Sequence, residues 1–167
     1  MTDVSVAGFR ISRREILGAL AAAVLINLIG ALGVPFTTPD SAWFQALDKP
    51  WFYPPDATFG IVWTLLFSLM GIAVYLVYRQ GLENRVVKVA LGLFALQMIF
   101  NVAWSPTFFA AQELLLALVV ICVLWVLIVA TIAAFDRVDR RAALLLVPYL
   151  AWVSFAAVLN YSLWQLN

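Results

Sequence analysis

Three sets of residues carry most of the chemical information in the chain. Gln97, Asn101, Trp104 and Phe108 follow one another at spacings of 4, 3 and 4 residues, and Tyr149, Trp152, Ala156 and Asn160 at 3, 4 and 4. At about 100° per residue, each set falls within a narrow arc of one helix. Phe59, Trp63, Phe67 and Gly71 advance in steps of 4 in the same way. Carboxamides among indole and phenyl rings can stack and hydrogen-bond, so they suit a large, flat, mostly apolar ligand. The competing reading is packing glue, because buried amides bond between helices and tryptophans mark interfaces. For Asn27 and Gln97 taken alone, that reading is favoured. The tryptophans of the three stripes all fall near one end of their helices, which favours a pocket there, with Trp125 as a further contributor.

The residue types that are missing narrow the chemistry. Histidine is absent, which removes histidine ligation of haem or zinc and any histidine base. No acid–base pair, nucleophile or metal cluster stands out, so binding is favoured over ordinary turnover. No Asp, Glu, Lys or Arg lies at the centre of an apolar stretch, whereas ion-coupled pumps normally keep one there. Lys49 and Lys88 sit in or beside loops, which argues against a retinal Schiff base. The lone Cys122 reads as small core filler. A net charge of +1 gives a nucleic-acid partner no electrostatic footprint.

The elements that must position these residues are membrane helices. Of the 167 residues, 65% are hydrophobic and 11% charged, far from the roughly 45–50% and roughly 25% of soluble domains. Five apolar stretches, 16–34, 58–78, 86–109, 114–135 and 142–166, are each long enough to cross a bilayer as a helix. None alternates as a barrel strand would. The predicted architecture is a single all-α domain over residues 1–167, a five-helix membrane bundle. Five spans do not divide into equal inverted halves, which weakens a secondary-transporter reading.

Nine of the ten basic residues fall on one side of these spans: Arg10, Arg13, Arg14, Arg79, Arg85, Lys88, Arg137, Arg140 and Arg141. Only Lys49 lies on the other. The positive-inside rule therefore predicts a multi-pass protein of the cell membrane with its N-terminus cytoplasmic. The connection 35–57 is long and carries Trp43, Phe44, Trp51, Phe52 and Tyr53. Thr38 followed by Pro39 predicts a short helix capped by Thr38 and running to about residue 47. Pro50, Pro54 and Pro55 then impose an extended path. This loop is expected to fold back as a lid over the bundle; the alternative is an aromatic belt at the membrane interface. Small residues Ala90, Gly92 and Ala95 give a weak dimerisation signal, and Gly60, Thr64 and Ser68 would let a helix approach closely.

The loop segment WFQALDKPWFYPP, residues 43–55, resembles the W-Y-x-x-L-x-K-P-x-W-x-P-P signature of the translocator protein family, the tryptophan-rich sensory proteins related to the peripheral benzodiazepine receptor. Trp63 with its neighbours, FNVAWSP at 100–106, VPYLAW at 147–152 and the F-A-x-x-L-N pattern at 155–160 resemble further family motifs in the same order. The resemblance implies a five-helix bundle, usually homodimeric, with a pocket opening toward the first loop. Family members bind porphyrins and other tetrapyrroles, isoquinoline carboxamide and benzodiazepine drugs and, in animals, cholesterol. Some bacterial members degrade protoporphyrin in light.

Carried over with the stripes, the ligand-binding set is Trp51, Phe52, Pro54, Trp63, Phe67, Gln97, Asn101, Trp104, Phe108, Tyr149, Trp152, Ala156 and Asn160. Trp63 and Trp152 would be the catalytic pair if degradation occurs. Phe52 stands where the motif has tryptophan, with Trp51 adjacent. Tyr161 is followed by no Lys or Arg, so the animal sterol pattern is incomplete. The expected function is a membrane receptor or sensor for tetrapyrroles such as porphyrin and haem precursors, needing no cofactor or metal, with light-dependent porphyrin degradation or porphyrin transport as alternatives. Expected partners are a tetrapyrrole or drug-like molecule, the bilayer and a second copy of the chain.

The charge asymmetry has a direct test. In intact cells, a membrane-impermeant thiol reagent is expected to label Ser41→Cys and not Gln80→Cys; the reverse pattern would refute the orientation.

Overall fold

The computed structural model describes residues 4–6 and 9–167, with side chains from residue 12 onward. Two short strands, β1 (Val4–Val6) and β2 (Phe9–Ile11), pair antiparallel. The all-α reading did not include this hairpin, whose β-branched Val4, Val6 and Ile11 suit a strand. The side chain of Arg10, counted above among the basic residues, lies outside the described residues.

Helix α1 (Arg13–Gly30) begins with a reciprocal cap. Glu15 N–H donates to Ser12 Oγ at 3.2 Å and Ser12 N–H donates to Glu15 Oε2 at 2.9 Å, which satisfies two of the amides that a helix start leaves open. Glu15 also pairs with Arg79 at 2.8 Å, tying the start of α1 to the end of α3 (Asp56–Tyr78). Past Gly30 the first span tightens into a 3₁₀ turn, Ala31–Phe36, that contains Pro35. Helix α4 (Arg85–Ser105) is capped by Asn84, whose Oδ1 accepts from Val86 N–H at 2.9 Å. Helix α5 spans Leu114–Asp136.

Two spans read as continuous are broken, both at proline. Pro106 ends α4, and Pro106–Ala110 continue as a wider, π-type turn closed by Ala111 N–H on the Pro106 carbonyl. The fifth span divides into α6 (Arg140–Leu145) and α7 (Val147–Leu166). Pro148 has no N–H for the Leu144 carbonyl, so the ladder is interrupted there. The loop helix α2 is Ala42–Ala46, shorter than predicted. Its cap is Ser41 rather than Thr38: Ser41 Oγ accepts from Phe44 N–H at 3.3 Å, while residues 38–41 form a turn closed by Ser41 N–H on the Thr38 carbonyl.

Among the described residues, five helical segments are long and apolar enough to cross a membrane: Arg13–Phe36, Asp56–Tyr78, Arg85–Ala110, Leu114–Asp136 and Arg140–Leu166. They close a ring. Helix α1 lies on α3, α3 meets α6, α5 packs against α6, α7 and α4, and α4 returns to the end of the first span. At the basic end the ring is solid, with Met70, Ala73, Val77, Val87, Ala90, Phe135 and Ala142 fully buried. Large aliphatic side chains such as Leu17, Ile61, Val126 and Val158 stay exposed around the outside, as lipid contact requires. Cys122 also faces outward, correcting its reading as core filler. On α5 the buried stripe runs through Ala117, Ile121, Leu124, Ile128 and Thr131, and Cys122 lies one helical step off it. Ala90 is buried while Gly92 and Ala95 are exposed, so those three small residues do not share one outer face.

The backbone approach of α1 to α3 depends on Gly71. A Cβ there would run into the backbone of Ala22 and Ala23 on α1, and backbone cannot rotate aside as a side chain can. Gly71→Ala is therefore expected to cost about 1–3 kcal/mol through overpacking. Gly92→Ala, with nothing near its added methyl, is expected to change stability by under about 0.5 kcal/mol. Unfolding of both variants in detergent micelles checks the contrast; equal melting would refute it.

Candidate functional site

At the end opposite the basic residues the helices diverge around a cavity of about 920 Å³. Helix α3 lines it with Phe59, Trp63 and Phe67, α4 with Asn101, Trp104 and Ser105, and the π-type turn with Phe108 and Phe109. Helix α7 supplies Ala156, Leu159, Asn160 and Leu163, and the first span adds Asn27, Gly33 and Val34 among others. The first loop closes the top through Pro39, Phe44 and Tyr53.

The loop folds over this end of the bundle. Phe44 on α2 is 2% exposed and packs on Phe109 and Phe108, at ring distances of 5.3 and 6.2 Å. Trp43 meets the edge of Phe108 at 5.9 Å. Lys49 Nζ sits 4.5 Å above the Phe44 ring and 5.5 Å above that of Tyr53, so this ammonium stacks on aromatics at the cavity roof. Asn167 clasps residue 48 from the far end of the chain: its Oδ1 accepts from Asp48 N–H at 2.9 Å, and its Nδ2 donates to the Asp48 carbonyl at 3.1 Å.

The walls are fixed by ring contacts and a few polar bonds. Trp104 stacks on Phe108 at 4.8 Å and Trp63 on Phe67 at 5.2 Å. Trp104 Nε1 donates to Asn160 Oδ1 at 3.0 Å, while Asn160 Nδ2 donates to the Leu114 carbonyl at 3.0 Å. One amide thus joins α4, α5 and α7. Asn101 Nδ2 donates to the Tyr149 hydroxyl at 2.8 Å, which donates to Gln97 Oε1 at 2.7 Å. On the first span, Asn27 Nδ2 donates to Ser68 Oγ at 3.1 Å. At the rim, the Tyr53 hydroxyl donates to Asp56 Oδ1 at 3.4 Å. Burial and the Asp56 carboxylate both push the Tyr53 phenol above its ordinary range, which keeps it a neutral donor.

Seven of the thirteen residues selected from sequence line this cavity: Trp63, Phe67, Asn101, Trp104, Phe108, Ala156 and Asn160. Trp152 instead lines a neighbouring cavity of about 40 Å³, which it shares with Phe59, Trp63, Asn101 and Trp104. Gln97 and Tyr149 are buried behind the wall, each 1% exposed. In the loop, Trp51 points away, 96% exposed, and Phe52 packs on Phe155; neither residue, nor Pro54, lines the cavity. Trp125 faces outward and donates to Ser154 Oγ at 2.8 Å, so it adds nothing to the pocket. Sequence reasoning missed Leu159 and Leu163, although they extend the α7 stripe at helical spacing. It also missed Phe44 and Tyr53 as lining residues, because a loop has no periodicity to reveal which aromatic turns inward.

The arrangement offers a large aromatic chamber with isolated amide and hydroxyl groups, the pattern of an apolar ligand site. Among the described residues, no group of three or more Cys, Asp or Glu is placed to hold a metal ion.

Comparison with known proteins agrees with this architecture. The TspO/MBR family model matches residues 21–165. The chain is 44% identical to the tryptophan-rich protein TspO of Chlorobaculum tepidum, over 92% of this chain and 98% of that protein. It is 37% identical to the tryptophan-rich sensory protein of Cereibacter sphaeroides, over 87% and 92% of the two chains. It is also 37% identical to the translocator protein of Bos taurus, over 89% of each.

The Asn160 junction yields a measurable cost. Asn160→Leu strands the Trp104 N–H in an apolar interior and is expected to destabilise by about 1–3 kcal/mol. Chemical unfolding in micelles measures it; wild-type stability would show that the indole does not need the amide.

Proposed function

The chain belongs to the TspO/MBR family, and from that premise we propose that this integral membrane protein is a receptor that binds tetrapyrroles, porphyrins among them, in the chamber under the lid. One observation carries the reading: a cavity of about 920 Å³ walled by Trp63, Phe67, Trp104 and Phe108. That size is near the top of the about 300–1,000 Å³ typical of small-molecule sites, and aromatic walls favour a flat ring system over a chain. The relatives named sensory protein and translocator protein fit ligand handling at a membrane. We further propose that the basic end is cytoplasmic, in the cell membrane, that the protein works as a homodimer, and that it needs no cofactor beyond the ligand.

A second reading, light-driven porphyrin degradation, is favoured by the indole of Trp63 in the chamber wall. It is weakened by Trp152, which reaches only the smaller neighbouring cavity. Transport would require a second access state, and the ring of helices offers no mid-membrane charge to drive one.

Titration with protoporphyrin in the dark is expected to quench tryptophan fluorescence saturably; its absence would overturn the receptor reading. Trp63→Phe and Trp152→Phe keep a stacking surface and lose the oxidisable indole. Each is expected to weaken binding at most about tenfold, or about 1.4 kcal/mol. Under light, equal porphyrin loss in wild type and in the double variant eliminates indole-dependent degradation. Abolished turnover in the double variant establishes it.

A further inference from the structure

One ring of the loop takes no part in the chamber. Trp51 is 96% exposed, whereas Phe44 on the same loop is 2% exposed. Its backbone is nonetheless fixed. Tyr53 N–H donates to the Pro50 carbonyl at 2.9 Å, closing a tight turn with Trp51 and Phe52 at its centre. Phe52 meets Trp51 edge-on at 5.6 Å and packs on Phe155 of α7 at 6.3 Å. The indole therefore stands at the tip of a turn that leans on a membrane helix. Phe155 borders the outer face of α7, because its neighbours at i−4 and i+3, Ala151 and Val158, are exposed.

The depth of this turn follows from α5 and α7. Leu114 opens α5, and its carbonyl accepts from Asn160 Nδ2, so Asn160 marks the level at which these spans reach the loop side. Phe155 lies about 7 Å nearer the basic end, at about 1.5 Å per residue. The chain thus descends along α7, from the Asp48 clasp at Asn167 to Phe52 beside Phe155. The turn lies within the membrane boundary and not above it. Its composition suits that depth. Three of the eight residues 48–55 are proline, with no N–H to leave unpaired, and the Asp48 and Tyr53 amides are bonded. At this level, beside the outer face of α7, what touches an exposed ring is lipid.

We propose that Trp51 anchors the lid in the bilayer, its indole lodged between the headgroups and acyl chains of the loop-side leaflet. An indole suits that boundary because its ring is apolar and its N–H can donate to ester oxygens or water. Phe44 then fastens the loop to the chamber and Trp51 fastens it to lipid, and the turn at Pro50 joins the two. The inference rests on the membrane bundle and not on the identity of any ligand in the chamber.

Fluorescence quenching in the full-length protein tests the contact. The protein is placed in phosphatidylcholine nanodiscs, and the emission lost in Trp51→Phe isolates the Trp51 signal. That signal is expected to be quenched by phosphatidylcholine brominated near the headgroup, less by lipid brominated near the chain ends, and hardly by aqueous iodide. Quenching mainly by iodide would put the indole in water, and quenching by none of the three would put it against protein, such as a second copy; either result overturns the proposal. Amide exchange tests the anchoring without fluorescence. The Gln45 and Tyr53 amides are both hydrogen-bonded in the closed loop. In the same nanodiscs, Trp51→Ser is expected to speed their exchange about tenfold, the factor that about 1.4 kcal/mol of lost anchoring gives. Wild-type exchange in Trp51→Ser would show that lipid contact does not hold the lid, and would overturn the proposal as well.

Discussion

A bilayer supplies no water to complete a hydrogen bond, and that constraint orders the rest of this structure. A polar side chain among the spans is costly unless it finds a protein partner or faces a cavity, and Gln97 Nε2, buried without a partner, is the exception among the groups named above. Asn160 shows the first outcome. Its two bonds, to the Trp104 indole and the Leu114 carbonyl, lock three helices at one depth and hold an aromatic ring flat against the chamber. The hydroxyls of Thr64 and Thr131 turn back to carbonyls four residues earlier on their own helices, so they are satisfied without fixing a neighbour. Asn101 shows the second outcome: one half of its amide is spent on Tyr149, and the other half is left to the cavity.

Side-chain size divides the bundle along its length. At the basic end, small or slender residues such as Ala73, Ala90, Ala142 and Ala143 are buried, and Gly71 lets α1 lie against α3 at backbone distance. That brings α6 onto α3 and seals the ring. Toward the lid the same helices carry Phe59, Trp63, Trp104 and Trp152, bulky rings of which Phe59 meets the edge of Trp152 at 5.8 Å. The chamber is the volume left when bulky flat rings line a ring of helices without filling it. Its walls are preformed, so a ligand need not order them on binding.

The sequence disclosed this plan unevenly, for physical reasons. Span positions were legible to within a few residues because lipid demands long uninterrupted apolar runs. The inward faces of α4 and α7 were legible because helical periodicity is strict: Asn101, Trp104 and Phe108 fall on one side, as do Ala156 and Asn160. Depth was harder to read. Gln97 and Tyr149 share those faces but lie lower, where the ring has already closed, so they became buried support. The loop was least legible. Trp51 and Phe44 look equivalent in a string of aromatics, yet one is exposed to solvent or lipid and the other is the plug, because the short helix started by Ser41 aims Phe44 inward. Thr38 and Ser41 are both good caps, and only the Phe44 contact with Phe108 and Phe109 decides between them.

The lid and the bundle are held by different forces, and this decides which of them can move while the other stays in place. The bundle is secured by buried amides, whose loss would strand partners in an apolar medium. The lid is secured by the rings of Trp43 and Phe44 on Phe108 and Phe109, of Phe52 on Phe155 and of Tyr53 on Phe59, and by an exposed clasp between Asn167 and Asp48. When the lid lifts, water can replace the clasp bonds, so the loss is that of the ring contacts, and Phe44, the one fully buried loop ring among them, carries the largest share. A fully buried Phe is worth about 1.5–3 kcal/mol, within reach of thermal fluctuation on a functional timescale. Because that cost falls on the loop and its own contacts, the lid can open while the Asn160 junction and the bonds among Gln97, Tyr149 and Asn101 stay in place.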